Sequence, residues 1–216
     1  MSNDIIRKQD NPLTVPDLQQ TGTTNVAVKN MPGGTVNLTY NINYTQTSDS
    51  SAEKMIAIQN FSKEYYQVIV TCEEDVFNTC VVTVMSKRAL TERLVPKEIY
   101  ERCSSLSEEG IEELKRFPAI ICRENTAYNG DTDPNQWAML AYITAVRVYG
   151  KNIKVAFKPI QPIQQIKLCD KYTAVKLGIN MECALTDLNC SAWYVNKANL
   201  LEELDKAGIP GIPKVQ

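Results

Sequence analysis

YYQVIVTC, residues 65–72, and CVVTVMS, residues 80–86, open the compact part of this chain and decide how the rest is read. Both runs are rich in β-branched and aromatic residues, the composition of half-buried or buried strands. The intervening EEDVFNT reads as a loop between two antiparallel strands. Downstream, Pro96 can start a short helix through Cys103. Ser105 and Glu108 have capping-box spacing ahead of EEGIEELKRF, where Ile111, Leu114 and Phe117 recur at three-residue intervals. PAIICRE, residues 118–124, reads as a buried strand leading into the polar loop NTAYNGDTDPNQ. AMLAYITAVRVY, residues 138–149, fits strand or helix. Strand is favoured because Gly150-Lys151-Asn152 separates it from the alternating IKVAF.

The remainder holds the proline-punctuated KPIQPIQQI, a short strand expected at AVKLGI, the segment TDLNCSAWYV, and a last helix LLEELDKA. Asn199 and Glu202 can cap that helix, and Gly208 and Pro210 end it. Strands, then helices, then more strands predict an α+β domain rather than regular βαβ repetition. The expected fold is a mixed or antiparallel sheet with a few short helices and an N-terminal β arm.

That arm covers residues 1–50, ahead of a compact domain at 55–216. TVNLTYNINY, residues 35–44, places Val36, Leu38, Tyr40, Ile42 and Tyr44 on one side of a strand and polar residues on the other. VAVKN, residues 26–30, is its expected hairpin partner. QTSDSSAEK, residues 46–54, reads as a hinge or exposed connection. An apolar strand face needs cover, either from the main domain or from another chain. The second option makes the arm an oligomerisation element whose interface is the five apolar residues.

The chain contains 216 residues and no histidine. Without imidazole, the Ser-His-Asp and Cys-His schemes and most zinc designs are closed to it. A formal charge of −2 gives a phosphate backbone little general attraction, so nucleic acid is not the expected partner, although net charge does not exclude a local basic patch. No segment of the sequence approaches a membrane span, and the opening residues hold no apolar stretch of signal length. Seven cysteines without a CxxC pair are then expected to be reduced thiols in a cytoplasmic protein.

Two segments carry the candidate chemistry. Glu124, Asp131 and Asp133 follow a buried strand, with Lys154 and Lys158 near a second one. They are the candidate ligands for magnesium or manganese in a phosphodiesterase or nuclease. The competing reading makes DTDPNQ a turn held by Asx contacts, with Asp131, Asp133 and Gln136 giving directional contacts to a partner. In MECALTDLNCSAW, Asp187 and Asn189 can orient a ligand beside Trp193, which offers a contact platform. The structural counterpart buries Trp193 between the sheet and the final helix.

FPAIICREN (117–125), DPNQWAMLAYI (133–143) and TDLNCSAWYVNKANLLEEL (186–204) together resemble a small bacterial domain type associated with defence and mobile-element proteins. The resemblance covers roughly the last half of the chain and implies a regulatory or sensing role. Where related segments place histidine beside tryptophan, this chain has Ala192 before Trp193, so no histidine-dependent role carries over. The expected function is a noncatalytic interaction, sensing or regulatory domain that self-associates, needs no cofactor, and meets a protein or small-molecule partner. A metal-dependent phosphodiesterase and a structural assembly component are the alternatives.

Overall fold

The computed structural model describes residues 48–214, with side chains from Ala52 onward. The strand pattern at 35–44, with Val36, Leu38, Tyr40, Ile42 and Tyr44, and its expected partner at 26–30 lie outside the described residues.

The described chain runs α1 (Ser48–Gln59), β1 (Tyr65–Thr71), α2 (Val76–Thr79), β2 (Val81–Met85), α3 (Lys97–Cys103), α4 (Glu108–Lys115), β3 (Ala119–Arg123), β4 (Trp137–Tyr149), β5 (Asn152–Gln164), α5 (Lys171–Leu177), β6 (Ala192–Lys197) and α6 (Leu200–Lys206). The six strands form one mixed sheet in the order β2-β5-β4-β3-β1-β6. β1 and β3 are parallel; every other neighbouring pair is antiparallel. The fold is α+β, as the order of elements predicts.

β1 and β3 are interior strands, and their near-continuous apolar sequences follow from burial on both faces. Tyr66, Val68, Val70, Ile120 and Cys122 pack on one side with α5, α6 and Ile58 of α1. Ile69, Ala119 and Ile121 face the other side, where α3, α4 and the indole of Trp193 complete the core. The sheet also curls. Chain leaving β2 at one edge crosses to β6 at the other, where the Leu90 amide donates to Trp193 O at 3.0 Å and the Val195 amide donates to Leu94 O at 3.1 Å.

Several local expectations change. The two opening strands are not hairpin partners: β1 lies between β3 and β6, while β2 pairs with β5 at the edge. β1 is apolar on both faces, so it needs the double cover of the sheet centre, which an edge hairpin lacks. AVKLGI is not a strand, because Asp170 caps α5 by accepting from the Thr173 amide at 3.0 Å and Gly178 ends it at φ +68°. Residues 48–54, read as a connection, belong to α1; Lys54 Nζ donates to Ile160 O at 2.8 Å, and Glu53 pairs with Lys158. β5 continues through Pro159 and Pro162. Its pairing with β2 covers only 152–156, so those prolines interrupt no second ladder.

Helix capping is displaced as well. Ser107, not Ser105, caps α4, accepting from the Gly110 amide at 3.2 Å. Gly110 is buried where α4 meets α3: a Cβ there would lie 2.8 Å from Arg102 O and 3.1 Å from the Cys103 Cα. The glycine that weakens this helix by propensity is the one that lets the two helices touch.

Candidate functional site

The two segments singled out in the sequence, more than 40 residues apart, meet at one end of the sheet. The loop 124–136 follows β3 and feeds β4; the loop 178–191 precedes β6. Backbone amides of Asn125 and Asn129 donate to Leu188 O and Ala184 O, each at 2.8 Å. Asn189 Nδ2 donates to Ala127 O at 2.7 Å. The amide and Oγ of Ser191 both donate to Glu124 Oε1 at 2.6 Å. Asn129 and Gly130 both turn through positive φ, and a Cβ on Gly130 would lie 2.7 Å from Met181 Cε. Asn and Gly are residue types that tolerate this left-handed turn.

Each acidic candidate accepts a hydrogen bond within or between these loops. Glu124 reaches across to Ser191. Asp131 Oδ1 accepts from the Thr132 amide at 2.8 Å, and Asp133 Oδ1 from the Asn135 amide at 2.8 Å. Both contacts are local to the loop, and the Asp133 one has Asx-turn spacing. Among the described residues, no group of three His, Cys, Asp or Glu side chains is gathered to hold a metal ion. Glu124, Asp131 and Asp133, the alternative metal ligands, share one loop and form no such group. Lys154 and Lys158 also lie elsewhere, Lys158 paired with Glu53 and Lys154 beside the Tyr149 ring.

Gln136 turns inward, its Nε2 donating to Arg123 O at 3.2 Å and Glu124 O at 2.9 Å while Oε1 accepts from Thr132 Oγ1 at 3.0 Å. It braces the loop and offers no free amide to a ligand. Asn189 Oδ1 accepts from the Thr186 amide and hydroxyl at 2.9 and 2.7 Å, so its side chain is spent on the turn and on Ala127. Trp193 is fully buried and donates from Nε1 to Gln67 Oε1 at 3.0 Å. The expected contact platform is a core side chain, because residues 89–95 cover β6 on that side. Gln136, Asn189 and Trp193 all spend their side-chain hydrogen bonds inside the domain.

Asp187 does reach a cavity. Its Oδ2 accepts from the Asn180 amide at 2.8 Å, and partial burial pushes its carboxyl above the ordinary value, the hydrogen bond opposing that rise. The cavity holds about 460 Å³ between residues 93–96, the start of the second loop and β6. Arg93, Asn180, Asn196 and Lys197 share its lining with Asp187.

Sequence reading missed the pieces that support the loops from beneath. Asn125, buried, accepts at Oδ1 from Gln165 Nε2 at 2.8 Å, and that amide also donates to Arg123 O at 2.7 Å. Two buried amides flanking apolar strands are the available signal, since each needs a partner to be tolerated in a core. It also missed what remains outside: Tyr128 and Leu185, 65% and 56% exposed, one on each of the joined loops. No protein-family model, curated protein or solved structure matches this chain.

Proposed function

We propose a noncatalytic interaction domain that self-associates, with the paired loops as its contact face. The observation carrying this reading is their mutual locking by backbone and side-chain hydrogen bonds while Tyr128 and Leu185 stay exposed. A preorganised loop loses little conformational freedom on binding, and an exposed tyrosine on one loop with an exposed leucine on the other supplies apolar area with a polar handle. The acidic and amide side chains that would serve catalysis are already used in holding the backbone. Among the described residues, no helix is long and apolar enough to cross a membrane.

Light scattering of the full chain tests the reading. A mass above one chain is expected, with Tyr128→Asp combined with Leu185→Asp returning it toward the monomer. A monomeric wild type, or an oligomer indifferent to both substitutions, rejects this face. Removing residues 1–47 separately tests the expected N-terminal arm, whose loss should also lower the mass.

The cavity beside Asp187 supports a second use, sensing of a small molecule. A lining that combines a carboxylate, two cations and two asparagines suits a zwitterion such as a free amino acid. Thermal-shift titration with a panel of free amino acids should raise the melting temperature for at least one, with loss of the effect in Asp187→Ala. No shift across the panel rejects this use.

A further inference from the structure

Charge is distributed unevenly in this molecule despite its small net value. From Pro134 to Cys169 the sequence contains no Asp or Glu, yet it includes Arg147, Lys151, Lys154, Lys158 and Lys167. Residues 76–91 are likewise free of carboxylates. These two stretches supply β2, β5 and β4, adjacent at one edge of the sheet.

Register places the side chains. Asn152 pairs with Met85 on one side and Tyr149 on the other; Lys154 pairs with Thr83 and Arg147. The alternate positions Val82, Val84, Val146, Ile153 and Val155 face the core. Arg147, Tyr149, Asn152 and Lys154 are consequently left on the outward side, all exposed. The hydrogen bond and ion pair from α1 land farther along β5, at Ile160 and Lys158. Among the described residues, none of Arg147, Lys151 and Lys154 has a carboxylate within ion-pair distance. Lys154 Nζ sits 5.7 Å from the centre of the Tyr149 ring. Glu73 reaches the outer edge of β2, where it accepts from the Thr83 amide.

We propose that this sheet face binds single-stranded nucleic acid, with Arg147 and Lys154 on the phosphates and Tyr149 stacking on a base. Charge complementarity selects a polyanion. The exposed ring next to the cations selects an unpaired strand, because a base within a duplex has no free face to stack. Three apolar side chains, Met85, Val148 and Tyr149, also stand exposed around the hairpin end. Asn152 lies between two of them and Lys151 occupies the apex, which opposes insertion into a bilayer. The face lies at the opposite end of β4 from the paired loops, so its failure and theirs are separately readable.

Fluorescence anisotropy of the full chain with labelled oligodeoxythymidine and oligouridine of about 20 nucleotides, a matching duplex, and anionic phosphatidylglycerol vesicles as competitor tests this. Binding of at least one single strand is expected at about 50 mM salt, weakening steeply toward about 200 mM, with the duplex bound less tightly. Arg147→Glu with Lys154→Glu should lower affinity by about tenfold or more and flatten the salt dependence. Tyr149→Ala should cost about tenfold, while Lys97→Glu on α3 changes nothing. Circular dichroism melting should be unchanged in all these surface variants. No strand binding at low salt, binding indifferent to the β4–β5 substitutions, or vesicle binding without strand binding would overturn the proposal.

Discussion

Trp193 Nε1 donates to Gln67 Oε1 at 3.0 Å inside the core, where both residues are fully buried. Gln67 Nε2 in turn donates to Leu114 O at 2.7 Å and Phe117 O at 3.1 Å, joining β1 and β6 to the end of α4. Removing the amide strands an indole N–H and weakens the end of the helix. Gln67→Leu should lose about 2–4 kcal/mol of stability, and Trp193→Phe a similar amount through an orphaned Gln67 oxygen and lost volume. The double variant should lose less than the sum by about 1 kcal/mol. Urea denaturation followed by circular dichroism measures all three.

Gly110→Ala separates helix propensity from packing. Alanine gains about 1 kcal/mol in a free helix. Here its Cβ meets backbone atoms of α3 at 2.8 and 3.1 Å, which no side-chain rotation relieves. The variant should therefore be less stable than wild type by about 1 kcal/mol or more. A more stable variant would mean that α3 and α4 separate at little cost.

The cap of α4 can be tested in the same assay. Ser107→Ala should cost about 1 kcal/mol, because the Gly110 amide loses its acceptor. Ser105→Ala should fall within about 0.5 kcal/mol of wild type. Reversal of that order would restore the spacing read from Ser105 and Glu108.

Burial raises the Asp187 carboxyl, so the fold favours its protonated form. Its contribution to stability is fully present below the ordinary carboxyl value of 3.8 and is lost as pH rises through the raised native value. Asp187→Asn keeps an acceptor for the Asn180 amide without the buried charge. The variant should gain stability relative to wild type at neutral pH, and the gain should shrink as pH falls toward 4. A gap that widens on acidification would contradict the sign.

The fold class was legible because an apolar run of strand length announces itself at 119–123, and because Gly150-Lys151-Asn152 ahead of an alternating run favours strand at 138–149. Pairing was not legible. β1 and β2 are neighbours in sequence, but β1 finds partners in β3 and β6, a choice set by burial on both faces. AVKLGI was misread because its alternation resembles a strand, while the decisive signal was Asp170 three residues ahead of Thr173. At the candidate site, sequence located both loops but not their union. Glu124, Asp131, Asp133, Gln136 and Asn189 are residue types shared by catalysis and by loop construction, and only the geometry shows each of them hydrogen-bonded within or between the loops. Trp193 illustrates the same ambiguity: an interface residue by type, it completes the core because the chain after β2 closes over it.

Amide hydrogen exchange of the full chain across a concentration series tests the interaction reading most directly. Slower exchange at residues 126–131 and 183–186 at high concentration is the expected result, appearing together with a rise in mass. A rise in mass that leaves both loops exchanging at their dilute rates would contradict the account.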